Sequence, residues 1–227
     1  MLHSVMQSRI EDGTPAHSNE LKDHELLRCL LRVLGQPRRE PEQHLVIVFS
    51  AWNILEFAVV RRAFPDVPWV FLYRDPVAVL ESQIKQRNPL TIPGVFPPSA
   101  FGLHADAATS LEPEEYCAAV LAALCRVPLQ LHGDGGMLVN YSQLPEAVWT
   151  SLARWFAMDI SGRYQEALQA IATGEKSSAS GLAQQTAGSK SESHSERLLR
   201  AAESFLFPVY EELEAARLGS AENLEKC

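Results

Sequence analysis

Two short runs of β-branched and aromatic residues constrain this chain more than any other feature: Leu45-Val46-Ile47-Val48-Phe49 and Trp69-Val70-Phe71-Leu72-Tyr73. Each is too short for a free-standing helix and too continuously apolar for a strand with one wet face, so each predicts a buried parallel strand. Helical spacing follows both runs, over Ile54 to Ala63 after the first and over Val77 to Gln86 after the second. Pro76 stands where the first turn of that second helix tolerates it. Strand then helix, twice in succession, predicts an α/β fold in which a parallel sheet is flanked by helices. Met137 to Tyr141, after a turn holding Gly133, Gly135 and Gly136, reads as a third strand.

The remaining segments divide cleanly. Asn19 caps an amphipathic helix with Leu21, Leu26, Leu27, Leu30, Leu31 and Leu34, closed by Gly35, and Pro37 to Gln43 is a charged connector. Further helices are expected over Glu114 to Leu131, over Leu144 to Met158 with Trp149, Leu152, Trp155 and Phe156 inward, and over Ser161 to Ala172. Glu196 to Leu218 closes the chain as a helix with Leu198, Ala202, Phe205, Val209 and Leu213 on one stripe, kinked at Pro208. Asn88 to Glu112, rich in proline, is a long irregular excursion, which in compact domains is either a functional cover or disordered. Gly174 to Ser195 is a Ser/Gly-rich flexible loop with too few apolar side chains to order itself. We read residues 1–227 as a single domain without internal repeats.

Composition excludes several classes. No apolar run among the 227 residues approaches the roughly 20 needed to span a bilayer, and Met1 to Asp12 has no apolar core of a secretory signal. A cytoplasmic protein without membrane association is expected. Cys29, Cys117, Cys125 and Cys227 lack C-x-x-C spacing, which fits reduced thiols, and the dispersed histidines offer no pair at metal-ligand spacing. With 20 Lys plus Arg against 28 Asp plus Glu, the net charge of −8 opposes nucleic-acid binding. An anionic ligand must therefore be held by a local cluster. One such excess lies between Arg61 and Arg87, where Arg61, Arg62, Arg74, Lys85 and Arg87 outnumber Asp66, Asp75 and Glu81.

Within that stretch, the strand Trp69 to Tyr73 delivers Arg74 at its carboxyl end, and Ser82 follows eight residues later on the helix. The carboxyl edge of a parallel sheet is where open α/β folds bind ligands, and a guanidinium plus a hydroxyl suit a phosphate. Equally, Arg74 can pair with Asp75 or a nearby helix, leaving Ser82 incidental.

Strand, Arg74-Asp75-Pro76, then Ser82 resembles the 3′-phosphate-binding motif of the sulfotransferase superfamily, whose members transfer sulfate from 3′-phosphoadenylyl sulfate (PAPS). The approach Ala63-Phe-Pro-Asp-Val-Pro-Trp-Val-Phe-Leu-Tyr-Arg74 and the stretch Leu138-Val-Asn-Tyr-Ser-Gln-Leu-Pro145, with the helix ending Trp155-Phe156, are similar to two further family segments in the same order. The resemblance covers Leu45 to Phe156. It implies a three-layer fold of the P-loop type, PAPS or adenosine 3′,5′-bisphosphate as the nucleotide, no metal, and an unidentified hydroxyl or amine acceptor. Carried over, Arg74 and Ser82 would bind the 3′-phosphate, Asp75 and Pro76 would shape the turn, Tyr141 would be structural, and Lys190 would reach over the nucleotide from the loop before the last helix.

Departures from the pattern bear on activity. The family opens with a strand and a Gly/Ser/Thr loop at a helix start, where backbone N–H groups cradle the phosphosulfate. Met1 to Glu40 holds nothing comparable, so an N-terminally truncated fold is expected, with an open sheet edge that invites self-association. Where the cytosolic branch ends its strand in Lys-Thr-His, this chain has Val48, Phe49 and Ser50, none able to act as acid or base. Glu11 is the N-terminal carboxylate that remains as a catalytic base, with Asp12 beside it; the other reading makes both solvated loop acids. Two functions follow: a sulfotransferase-like protein of little or no activity, or a non-catalytic binding module that keeps the fold.

Overall fold

A computed structural model describes residues 20–38, 44–131, 135–160, 162, 165, 166, 169 and 191–224. Glu11, Asp12, Lys190, most of the helix expected at Ser161 to Ala172 and the loop up to Lys190 lie outside the described residues.

The first helix, α1 (Glu20–Leu34), carries Leu27 into the interior and ends at Gly35. A 3₁₀ turn (Ala51–Glu56) leads into α2 (Phe57–Ala63). Next come β1 (Trp69–Tyr73) and α3 (Pro76–Lys85), then α4 (Ala105–Ser110) and α5 (Pro113–Gln130). β2 (Gly136–Asn140) is followed by a 3₁₀ turn (Tyr141–Gln143) and a helical stretch over residues 146–155, which includes a wide π turn. The closing helix comprises α6 (Ser191–Ala201), a π turn (Ala202–Leu206) and α7 (Phe207–Leu224).

The local chemistry explains several of these boundaries. Asp75 caps α3 by accepting from the Ala78 N–H at 2.8 Å, and Pro76, whose missing N–H costs nothing there, opens the helix. Glu112 and Glu115 form a reciprocal capping box on α5, the Glu112 N–H donating to Glu115 Oε2 at 2.9 Å. Pro208 was expected to kink the closing helix. The five residues before Phe207 widen into a π turn, a local break in the regular ladder that makes room for a ring that would strike the carbonyl four residues back.

β1 and β2 pair in parallel, with Trp69 opposite Gly136 and Tyr73 opposite Asn140. The described residues thus form an α/β arrangement of helices around a two-stranded parallel sheet. This corrects two expectations. Leu45 to Phe49 is not a strand, and Leu45, Val46, Ile47 and Val48 are exposed. Its apolar, β-branched composition favours an extended backbone, but a strand also needs a ladder partner, and none pairs with it among the described residues. Nor is β1 buried on both faces: Leu72 is half exposed, because a two-stranded sheet has fewer covered positions than a wide one.

The main core joins Tyr73 and Leu138 of the sheet to Leu80 of α3, Cys117, Ala118 and Ala122 of α5, and Leu198, Leu206, Val209 and Leu213 of the closing helix. The stripe predicted for that last helix is therefore the face it buries. The excursion at Asn88 to Glu112 is ordered and packed. Leu90, Phe101 and Ala108 from it form a second core with Tyr116 and Val120 of α5.

Candidate functional site

The carboxyl ends of β1 and β2 lie side by side, and the residues immediately beyond them face each other. Arg74 follows Tyr73, Tyr141 follows Asn140, and the Arg74 guanidinium carbon stands 5.3 Å from the centre of the Tyr141 ring. This is a cation–π arrangement. Both residues are exposed, and Arg74 has no carboxylate partner among the described residues. The alternative pairing with Asp75 does not occur, since the Asp75 carboxylate is used as the α3 cap.

Beneath this pair a polar network fixes both strand ends to α7. The Tyr73 hydroxyl donates to Glu214 Oε1. Asn140 Nδ2 donates to the same oxygen at 2.8 Å and to the Tyr210 hydroxyl at 2.9 Å. Arg217 Nη2 donates to Glu214 Oε2 at 2.6 Å, and its Nε donates to the Tyr73 hydroxyl at 3.2 Å. The Arg217 guanidinium, aided by the Asn140 and Tyr73 donors, outweighs burial and holds the Glu214 carboxyl down at about 2. Burial first, then the adjoining Glu214 carboxylate, pushes the Tyr73 phenol well above its usual value. At neutral pH the network is thus a neutral phenol, a carboxylate and a guanidinium, each with its hydrogen-bonding role fixed.

Ser82 is exposed on α3. It lines an open cleft of about 320 Å³ with Gln83, Gln86, Arg87, Asn88 and Pro89, and Arg74 is not among the walls of that cleft. Amides, a hydroxyl and a guanidinium suit an anion or a polar group, and Arg87 is a basic side chain that the sequence motif does not single out.

The local basic excess resolves into different tasks. Arg61 stands before β1, at the end opposite Arg74, where its Nη1 donates to the carbonyls of Phe64 (3.3 Å) and Val67 (2.8 Å), and its Nη2 to that of Pro65. It is a clamp on the loop entering the strand. Lys85 pairs with Glu81 at 2.8 Å on the exposed face of α3, an interaction of little energetic weight. Of the five basic residues, Arg74 stands at the carboxyl edge of the sheet and Arg87 lines the Ser82 cleft.

Val48 is almost fully exposed, and Phe49 and Ser50 follow it in the same irregular segment, so these positions do not form a sheet edge. Tyr141, for which the resemblance implies a structural role, is half exposed, and its ring carries Arg74. Only its place after a strand could have marked it, and that signal requires knowing that β1 and β2 are neighbours. Glu214 and Arg217 belong to no motif and carry no local sequence signal.

No helix among the described residues is long and apolar enough to cross a membrane. No family of known proteins, no curated protein and no solved structure matches the chain.

Proposed function

We propose that this chain is a sulfotransferase-like protein that binds the phosphate of a nucleotide such as PAPS or adenosine 3′,5′-bisphosphate at the carboxyl edge of its sheet. The observation that carries this reading is Arg74: a guanidinium at the end of a parallel strand, laid on an aromatic ring and without a carboxylate partner among the described residues. Such a group is presented for bidentate contact with phosphate oxygens; Ser82, the second residue of the motif, is exposed on the helix that follows and lines a cleft whose walls do not include Arg74, so Arg74 alone carries the reading. The three-layer fold of the superfamily is part of the same proposal, supported by the parallel pairing of β1 with β2 and by the Arg74-Asp75-Pro76 turn capping α3. Transfer itself would need a base and a grip on the phosphosulfate. Val48, Phe49 and Ser50 supply neither, which favours a protein that binds the nucleotide without turning it over; Glu11 is the carboxylate proposed as base if transfer occurs.

Calorimetric titration with adenosine 3′,5′-bisphosphate tests the assignment. Binding by the wild type and its loss in Arg74→Ala is the expected result, and equal affinity in the two proteins would refute it. Incubation with PAPS and a panel of hydroxyl and amine acceptors separates the two functions: no sulfate transfer is expected, and turnover would show that the chain is an enzyme.

A further inference from the structure

One carboxylate on the closing helix ties the ends of both strands together. Glu214 accepts from Tyr73, the last residue of β1, and from Asn140, the last residue of β2. Asn140 is held at its other atoms too. Its Oδ1 accepts from the Ser142 N–H at 3.0 Å and from the Ser142 hydroxyl at 2.9 Å, and its own N–H donates to Gln143 Oε1 at 2.9 Å. That turn carries Tyr141, and Arg74 follows Tyr73 directly. Each member of the Arg74–Tyr141 pair is therefore one residue removed from a hydrogen bond to Glu214.

The geometry points to Glu214 as the positioning residue of the anion site: through Tyr73 and Asn140 it sets the spacing of the two strand ends and so holds the Arg74 guanidinium on the Tyr141 ring. The inference rests on reading Arg74 as a phosphate ligand. A guanidinium ordered beforehand loses less freedom when an anion arrives, and a supporting layer of hydrogen bonds is what keeps such a group in place. Glu214 touches no ligand in this arrangement. Arg217 neutralises it, so its charge does not repel the anion held one layer above.

The test reads the Arg74–Tyr141 contact directly. In the full chain, ring current from Tyr141 is expected to displace the δ-methylene proton resonances of Arg74, with Tyr141→Leu as the reference for no ring. Glu214→Ala is expected to lose that displacement and to weaken adenosine 3′,5′-bisphosphate binding about tenfold, the combined effect of one lost cation–π contact and one guanidinium left to be ordered on binding. Glu214→Gln keeps an acceptor oxygen for Tyr73 and Asn140 and is expected to restore most of the displacement, a rescue that a general packing role would not require. Should Glu214→Ala fail to fold, Tyr73→Phe removes one hydroxyl from the same chain of contacts and is expected to reduce the displacement. Folded variants whose Arg74 resonances match the wild type would overturn the proposal. Resonances that respond to Glu214→Ala while even the wild type binds no nucleotide would uphold the hold of Glu214 on the pair and remove the phosphate reading instead.

Discussion

Acid should loosen the attachment of α7 to the sheet, and the size of the effect can be worked from Glu214. Its carboxyl is lowered from 4.5 to about 2 in the folded protein, chiefly by Arg217. At ~1.4 kcal/mol per tenfold change in proton affinity, that difference corresponds to about 3 kcal/mol. A quarter of the side chain meets solvent, which screens the interaction, so ~1–2 kcal/mol is the expected contribution. Because the folded state binds the proton less tightly than the unfolded one, this stability is fully present above about pH 4.5 and is lost as the pH falls toward 2. Glu214→Gln removes the titrating group while keeping the shape. Urea unfolding of both proteins between pH 7 and 2.5 should show the wild type more stable at neutral pH by ~1–2 kcal/mol, with the gap narrowing below pH 4.5. A gap that stays constant across that range would refute the coupling of Glu214 ionisation to folding.

Two further outcomes follow from the same packing. Gly136 sits opposite Trp69, and a methyl group on its Cα would overlap the Trp69 indole, so Gly136→Ala should cost ~1–3 kcal/mol, measured as a lower urea midpoint; an unchanged midpoint would contradict the register. Burial pushes the thiols of Cys117 and Cys125 up to about 11 and about 12, whereas Cys29 is exposed. Thiol-reactive probes at pH 8 should therefore modify Cys29 rapidly, the partly exposed Cys125 more slowly, and Cys117 only when the chain unfolds, as peptide mapping would show.

What the sequence made legible was local. Trp69 to Tyr73 is a strand, Asp75 and Pro76 start the next helix, and the Leu198 to Leu213 stripe faces the core, because caps, breakers and periodicity are written within a few residues. Leu45 to Phe49 misled for the complementary reason. Its composition is that of a strand, yet pairing is a property of two segments, and the run alone contains no information about a partner. Charge counting failed in the same way. Summing Arg61 with Arg74 gave one basic patch, while the fold puts them at opposite ends of β1 and assigns Arg61 to backbone carbonyls. Arg74 was found from its motif. Tyr141 and Glu214 required the parallel alignment of Tyr73 with Asn140 and the docking of α7 across both, contacts that span more than 60 residues of sequence.

Arg74 is the residue we propose as the anion-binding group at the carboxyl edge of the β1–β2 sheet. The most direct measurement of that role is the enthalpy and affinity of adenosine 3′,5′-bisphosphate binding to the wild type and to Arg74→Ala, with unfolding curves to establish that both are folded. Saturable binding by the wild type that disappears in the variant is expected. Saturable binding of equal affinity in both, or no binding by the folded wild type, would contradict it.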